Sequence, residues 1–268
     1  NCCGAPHSFS WTTVDGKEII VRGSGHRFEV RNKPFCALLL LLGAPNGDKV
    51  ELCTSIPKWI LNSEKSVKRE FLAAYFGAEL STPKQRIKQK SSFETPVFKM
   101  AKIKKQDAAL FIEGMEKLLN EFGVKVASIY QEKGNIRRDG KISIIQAVKI
   151  SVQHDSITNL YGNIGYIYAR EKERLAGIVY QYLKLKEKVI GKRKSQYQQV
   201  HLLRSKGVKF NEISTTVGVS VPVLERWMYN TKTSGLPNDY VSFEEWKKEA
   251  TRGLGESGLV WEKIRSIQ

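Results

Sequence analysis

Glu79 closes an apolar stretch, FLAAYFGAEL (71–80), in which Ala74, Gly77 and Ala78 fall within about one turn of each other. Small residues at that spacing let two helix backbones approach closely, where bulky ones would hold the axes apart. A second helix of the same kind would bring two carboxylates together. Such a pair can hold a divalent cation against a phosphate. Glu79 is therefore the candidate metal-binding and catalytic acid, and Ala74, Gly77 and Ala78 are the candidate helix interface.

The surrounding charge suits a polyanion. The 268 residues carry 44 Lys and Arg against 27 Asp and Glu, a net charge of +17. An excess of that size points to nucleic acid. Residues 84–105 hold Lys84, Arg86, Lys88, Lys90, Lys99, Lys102, Lys104 and Lys105 beside a lone acid, Glu94. Strand alternation sets Lys99 and Phe98 on opposite faces, so one side can be core and the other can meet phosphates. Arg137, Arg138, Lys141 and Lys149 extend this basic surface. Gln85, Gln89, Arg86, Arg137 and Gln146 are candidates for reading base edges.

A second reader lies at 195–230. Ile213, Leu224 and Trp227 fall at helix-turn-helix spacing, with Gly218 for the positive φ of the turn and Ser220 as cap of the second helix. That helix would present Ser220, Val221, Pro222, Val223, Glu225 and Arg226 to a major groove. Lys186, Lys188, Lys192, Arg193 and Lys194 precede it and would bind phosphates.

The elements that position these groups are expected as follows. EIIVRG and HRFEV flank a turn at Gly23-Ser24-Gly25. PFCALLLLLGAP is a buried helix stopped by Gly43 and Pro45, with Cys36 in the core. A helix over 64–80 starts from Ser63 or Ser66. FETPVFKMAKIKK is a strand, 107–122 an amphipathic helix ended by Gly123, and VKVASIYQE and KISIIQAVKISV are strands joined by a charged turn. Further helices follow, with a break near Gly191-Lys192-Arg193-Lys194. LLLLLGAPNGDK (38–49) parallels LYGNIGYIYAREK (160–172), which suggests a duplication with an incomplete first copy. The expected domains are 1–61, 62–190, 195–230 and a tail, 231–268.

The stretch 72–80, with LG-P-G-K and IP-WI before it and ITNLYGNIGYIYAREK after it, resembles the LAGLIDADG homing endonucleases over about residues 8–190. The resemblance implies an α+β class, an αββαββα saddle of antiparallel strands with its first repeat incomplete, plus a small all-α helix-turn-helix domain. It implies a metal-dependent endonuclease that hydrolyses phosphodiester bonds in a long duplex DNA site. Glu79 would hold Mg2+ or another divalent cation. Lys172 or Arg170, and Lys49 in the first copy, would stabilise phosphate charge or polarise the attacking water. Leu80 stands where the motif has its final glycine. One chain supplies one acid, so a second half from a homodimer or another polypeptide is the implied partner, besides double-stranded DNA or RNA. The alternatives are a non-cleaving DNA-binding regulator, an intron RNA maturase, or a fragment of an intein or split endonuclease. The tail is similar to the stretch where an intein returns to its splicing fold, but the chain ends at Gln268 without the His-Asn pair that splicing needs.

Four cysteines (Cys2, Cys3, Cys36, Cys53) form no CxxC pair, which argues against zinc and for free thiols in a reducing compartment. The longest apolar run, Ala37 to Ala44, is too short to span a bilayer. A soluble, cytoplasmic protein is expected.

Overall fold

The computed structural model describes residues 2–13, 15–28, 30–137, 139–229, 235–237 and 239–262. The chain divides into two compact units, residues 1–83 with 94–173, and residues 84–93 with 174–268. The described residues mix helices with an antiparallel sheet.

The first unit is built on strands β1 (Cys2–Thr13), β2 (Glu18–Phe28), β3 (Val97–Lys102), β4 (Val126–Ile136) and β5 (Ile142–Ile150), in the order β2-β1-β4-β5-β3. All neighbours are antiparallel. The turn between β1 and β2 lies at Asp15-Gly16, not at the expected Gly23-Ser24-Gly25. Gly16 takes φ 83° and its N–H donates to the Thr13 carbonyl at 2.9 Å. Gly23, Ser24 and Gly25 pair within the ladder with His7, Pro6 and Ala5. Two turn signals compete here, and the hairpin's register follows the one that supplies the left-handed residue.

Helices α1 (Lys33–Leu41), α2 (Lys58–Leu61), α3 (Lys65–Glu79), α4 (Gln106–Glu121) and α5 (His154–Asn159) complete the unit, with a π-helical turn over Leu160–Ile164. The core gathers Leu72 and Phe76 of α3, Phe98 of β3, Met115 and Leu118 of α4, and Leu160 and Ile164 of the π turn, all essentially buried. Tyr75 sits 5.6 Å from the Phe98 ring and 5.2 Å from Phe111. Phe98 is buried while Lys99 is exposed, as alternation requires. The N-cap of α3 is Glu64, without a side-chain hydrogen bond; Ser63 Oγ donates instead to the Ile60 carbonyl. Gly123 ends α4 at φ 70°.

Helix α1 forms where expected. Asn32 caps it by accepting from the Phe35 N–H at 3.0 Å, and Pro34 occupies its first turn. It is not the buried helix its composition suggests. None of its residues is buried, Leu41 is 84% exposed, and Cys36 is an exposed free thiol. Apolar composition gives the drive to be buried but does not say what covers the helix.

The second unit contains most of α6 (Arg170–Ser205), then α7 (Phe210–Val217), α8 (Val221–Tyr229) and α9 (Phe243–Ala250). Helix α6 runs unbroken through 191–194. The expected break is absent because one glycine among good helix formers costs only about 1 kcal/mol. Val200, Ile213, Val217, Leu224 and Trp227 form a core beneath α7 and α8, and Gly218 joins them at φ 70°. Helices α7 and α8 flank this glycine, at the positions where the spacing sets Ile213 and Leu224. The Ser220 carbonyl accepts the first backbone bonds of α8, from the Val223 and Leu224 N–H groups. Phe93, Tyr182, Phe243 and Trp246 form a second cluster, and Ser242 and Glu245 make a capping box on α9.

Candidate nucleic-acid interface

Glu79 ends α3, whose small-residue face meets backbone of its own chain at Gly77. Gly77 is buried against the segment after the π turn. A methyl group there would stand 2.0 Å from the Ile167 carbonyl oxygen, and the Ile167 N–H donates to the Ala73 carbonyl at 3.1 Å. Ala74 is half-buried and Ala78 is exposed. Gly77 of the expected interface thus makes a close contact inside one chain, while Ala78 stays exposed. A π turn capped by Gly165 (φ 72°) precedes the Ile167 backbone that closes on Gly77.

Lys172 works on the same helix end. Its Nζ donates to the carbonyls of Gly77 (3.0 Å) and Leu80 (2.7 Å), two acceptors that α3 leaves open. A cation there complements the negative end of the helix. The ammonium is committed to backbone and does not point free for phosphate. Arg170 is exposed at the first residue of α6.

Glu79 and Lys49 do come together, with Oε1 and Nζ 4.0 Å apart. Both face a cavity of about 980 Å³. Trp59, Phe71, Tyr75, Phe111 and Met100 give it apolar walls. Tyr75 is half-buried; desolvation pushes its phenol pKa up, and the Glu79 charge adds to the rise. Trp59 is 49% exposed, and its Nε1 donates to the Leu42 carbonyl at 2.8 Å, which fixes the indole. The Lys49 loop is held from below. Lys102 is 2% exposed and donates to the Lys49 and Leu52 carbonyls, each at 2.7 Å. Burial lowers its pKa. Lys102 was expected to face phosphates. It is instead an inward strand residue whose stem crosses the core to two carbonyls.

Other expected contacts are engaged within the fold. Lys99 pairs with Glu132 at 2.6 Å, Arg137 with Asp48 at 2.6 Å, and Lys141 with Glu51 at 2.7 Å. Lys149 lies over the Tyr130 ring at 4.5 Å. Gln146 is buried and cannot reach a base edge. Arg138 lies outside the described residues. Lys104 and Lys105 stay exposed in the first unit. In the second unit Lys84, Lys88, Lys90, Lys192, Lys194, Ser220 and Arg226 are exposed and Val221 is half-buried. Arg86 donates to the Phe93 carbonyl, Lys186 to that of Ser91 and Arg193 to that of Gly235. Sequence reasoning gave no site role to Asp48 or Trp59. Asp48 meets a partner 89 residues away, beyond any local pattern, whereas Trp59 lies in the quoted IP-WI segment.

The Arg137 hydrogen bond, then the Val50 N–H, hold the Asp48 carboxyl below its ordinary value of 3.8. A carboxylate whose pKa is depressed by folding stabilises the fold above its unfolded value, and that stability is lost as pH falls through the folded value. Thermal melts taken from pH 5 to pH 3 should therefore show a falling midpoint. Arg137→Gln should flatten that slope; an unchanged slope would remove Asp48 from the account.

Among the described residues, no group of three or more His, Cys, Asp or Glu side chains could hold a metal ion. Glu79 is one carboxylate beside an ammonium, so the chain does not build the expected magnesium site by itself. No helix among the described residues is long and apolar enough to cross a membrane.

No protein-family model matches the chain. No solved structure matches it either. Among curated proteins it is 43% identical over 183 residues to the DNA-directed RNA polymerase subunit Rpo1N of Methanocaldococcus jannaschii, covering 67% of this chain and 13% of that one. It is 30% identical over 248 residues to the tRNA-splicing ligase RtcB of Pyrococcus furiosus, covering 89% and 24%. It is 28% identical over 237 residues to the replication factor C small subunit of M. jannaschii, covering 88% and 12%. The chain spans between about an eighth and a quarter of the length of these relatives. These findings overturn the homing-endonuclease resemblance and what it implied. None of these relatives bears that name, and no family model matches. The double-stranded DNA target, the second half, and the intein and intron associations fall with it.

Proposed function

We propose that the chain is an RNA-binding module carried within larger proteins of nucleic-acid metabolism. The supporting observation is one segment shared by proteins named as a polymerase subunit and as tRNA-splicing ligases. A stretch common to proteins of such different names cannot owe its likeness to any one whole activity. The net charge of +17 suits a polyanion, and the names of the tRNA-splicing ligases favour RNA. In this reading the antiparallel sheet of the first unit forms a saddle for the RNA, and Lys104 and Lys105 contact phosphates. The α7–α8 pair is a second reader, with Arg226 and Lys192 toward the strand. A divalent cation fits the reading as a bridge, because phosphate oxygens of bound RNA would supply the ligands that Glu79 alone lacks. Mg2+ is the cation proposed.

The test is binding of a structured RNA hairpin and of a DNA duplex of equal length, followed by fluorescence anisotropy across a salt series. With about six to eight phosphates contacted, log K should fall against log salt with a slope of about −4 to −6. The Lys104→Gln/Lys105→Gln double variant should reduce that slope by about 1.5. Equal affinity for the DNA duplex, or no binding of the hairpin at 50 mM salt, sinks the reading.

A further inference from the structure

The cavity beside Glu79 has the size of a ligand site and a chemistry the salt-dependent contacts do not use. Pockets for small molecules run about 300–1,000 Å³ and join apolar walls to a few placed polar groups. Here the walls are aromatic, and the polar end carries an ammonium and a carboxylate 4.0 Å apart, Lys49 and Glu79. That pair offers one donor beside two acceptors. Among the bases of RNA, the Watson–Crick edge of guanine is its complement. Guanine O6 accepts, while N1–H and N2–H donate side by side. Adenine and cytosine each present an acceptor where Glu79 needs a donor, and uracil offers one N–H instead of two.

We propose that this cavity takes an unpaired guanine nucleotide of the bound RNA, which deepens the RNA-binding reading and rests on it. Glu79 accepts from N1–H and N2–H, and Lys49 donates to O6. The indole of Trp59, held by its bond to the Leu42 carbonyl and half exposed, stacks on the base. Unpaired bases in RNA are read in this way, on an aromatic face and by their edges. Lys102 is a positioning residue, because its two bonds to the Lys49 and Leu52 carbonyls fix the loop that carries Lys49.

The experiment has an arm without RNA and an arm with it. In the first, GMP and AMP are titrated while tryptophan fluorescence is followed. GMP should quench at concentrations at least tenfold lower than AMP. Trp59→Leu should abolish the quench, and Glu79→Gln should remove the preference between the two nucleotides. In the second, hairpins with guanosine or adenosine as the one unpaired loop base are compared by anisotropy. The guanosine hairpin should bind about tenfold tighter, and both Glu79→Gln and Lys49→Met should reduce that ratio toward one. Circular dichroism melts confirm that each variant is folded. RNA bound without a guanosine preference, and equal quenching by GMP and AMP, overturn the pocket and leave the RNA reading standing. GMP preference without hairpin binding keeps the pocket and overturns the RNA reading.

Discussion

Gly77→Ala should lower the melting temperature of the protein by about 4–8 °C. Two effects oppose each other. Alanine is the better helix former by about 1 kcal/mol. Against that, the new methyl group would sit 2.0 Å from the Ile167 carbonyl oxygen, which is backbone and cannot rotate away. The contact should dominate, at about 3 kcal/mol, the upper end for overpacking, which leaves a net loss of about 2 kcal/mol. For a domain of this size each kcal/mol moves the midpoint by about 2–4 °C. The change should also disturb the Lys172 bonds to the Gly77 and Leu80 carbonyls, which close the same helix end. A midpoint that stays level or rises would mean that α3 does not press on residue 167.

Leu224→Ala should cost the second unit about 2–5 kcal/mol, the range for removing a buried leucine without collapse of its site. Leu224 is fully buried among Val200, Ile213, Val217 and Trp227. A cluster this small has few other residues to fill the gap. Loosening would let water reach Trp227, whose ring also lies under the Arg193 guanidinium at 5.3 Å. Chemical denaturation followed by tryptophan emission gives the size, and a red-shifted native spectrum gives the location. A loss below about 1 kcal/mol with an unshifted spectrum would contradict the packing described for α7 and α8.

Much of the framework could be read from periodicity. The helical stripe of α4, the opposite faces of Phe98 and Lys99, and the turn at Gly218 between Ile213 and Leu224 all follow from local rules. The convergence of Glu79 and Lys49 was expected from a resemblance that the relatives overturn, so the geometry now stands on its own. What escaped was non-local. Residue type says that Lys102 should face water, but its strand position points it inward, and two carbonyls about 50 residues back receive it. Arg137 and Lys141 were read as open charges and are matched by Asp48 and Glu51. Gly77 was read as a contact between two helices; the backbone that comes close in this chain is that of Ile167, which nothing local identifies. Helix α1 shows the reverse case, in which a strongly apolar run says nothing about its cover.

The end of α3 is sealed from a distance. Tyr166 reaches the Ser81 carbonyl from 85 residues ahead and Lys172 reaches that of Leu80 from 92. During synthesis at about 5–20 residues per second, α3 emerges about 5–20 s before the segment that covers it. For that interval its small-residue face is open to any other nascent chain on the same message. Slowing translation after residue 80 should therefore favour aggregation, and supplying residues 154–173 in trans as a peptide should suppress it.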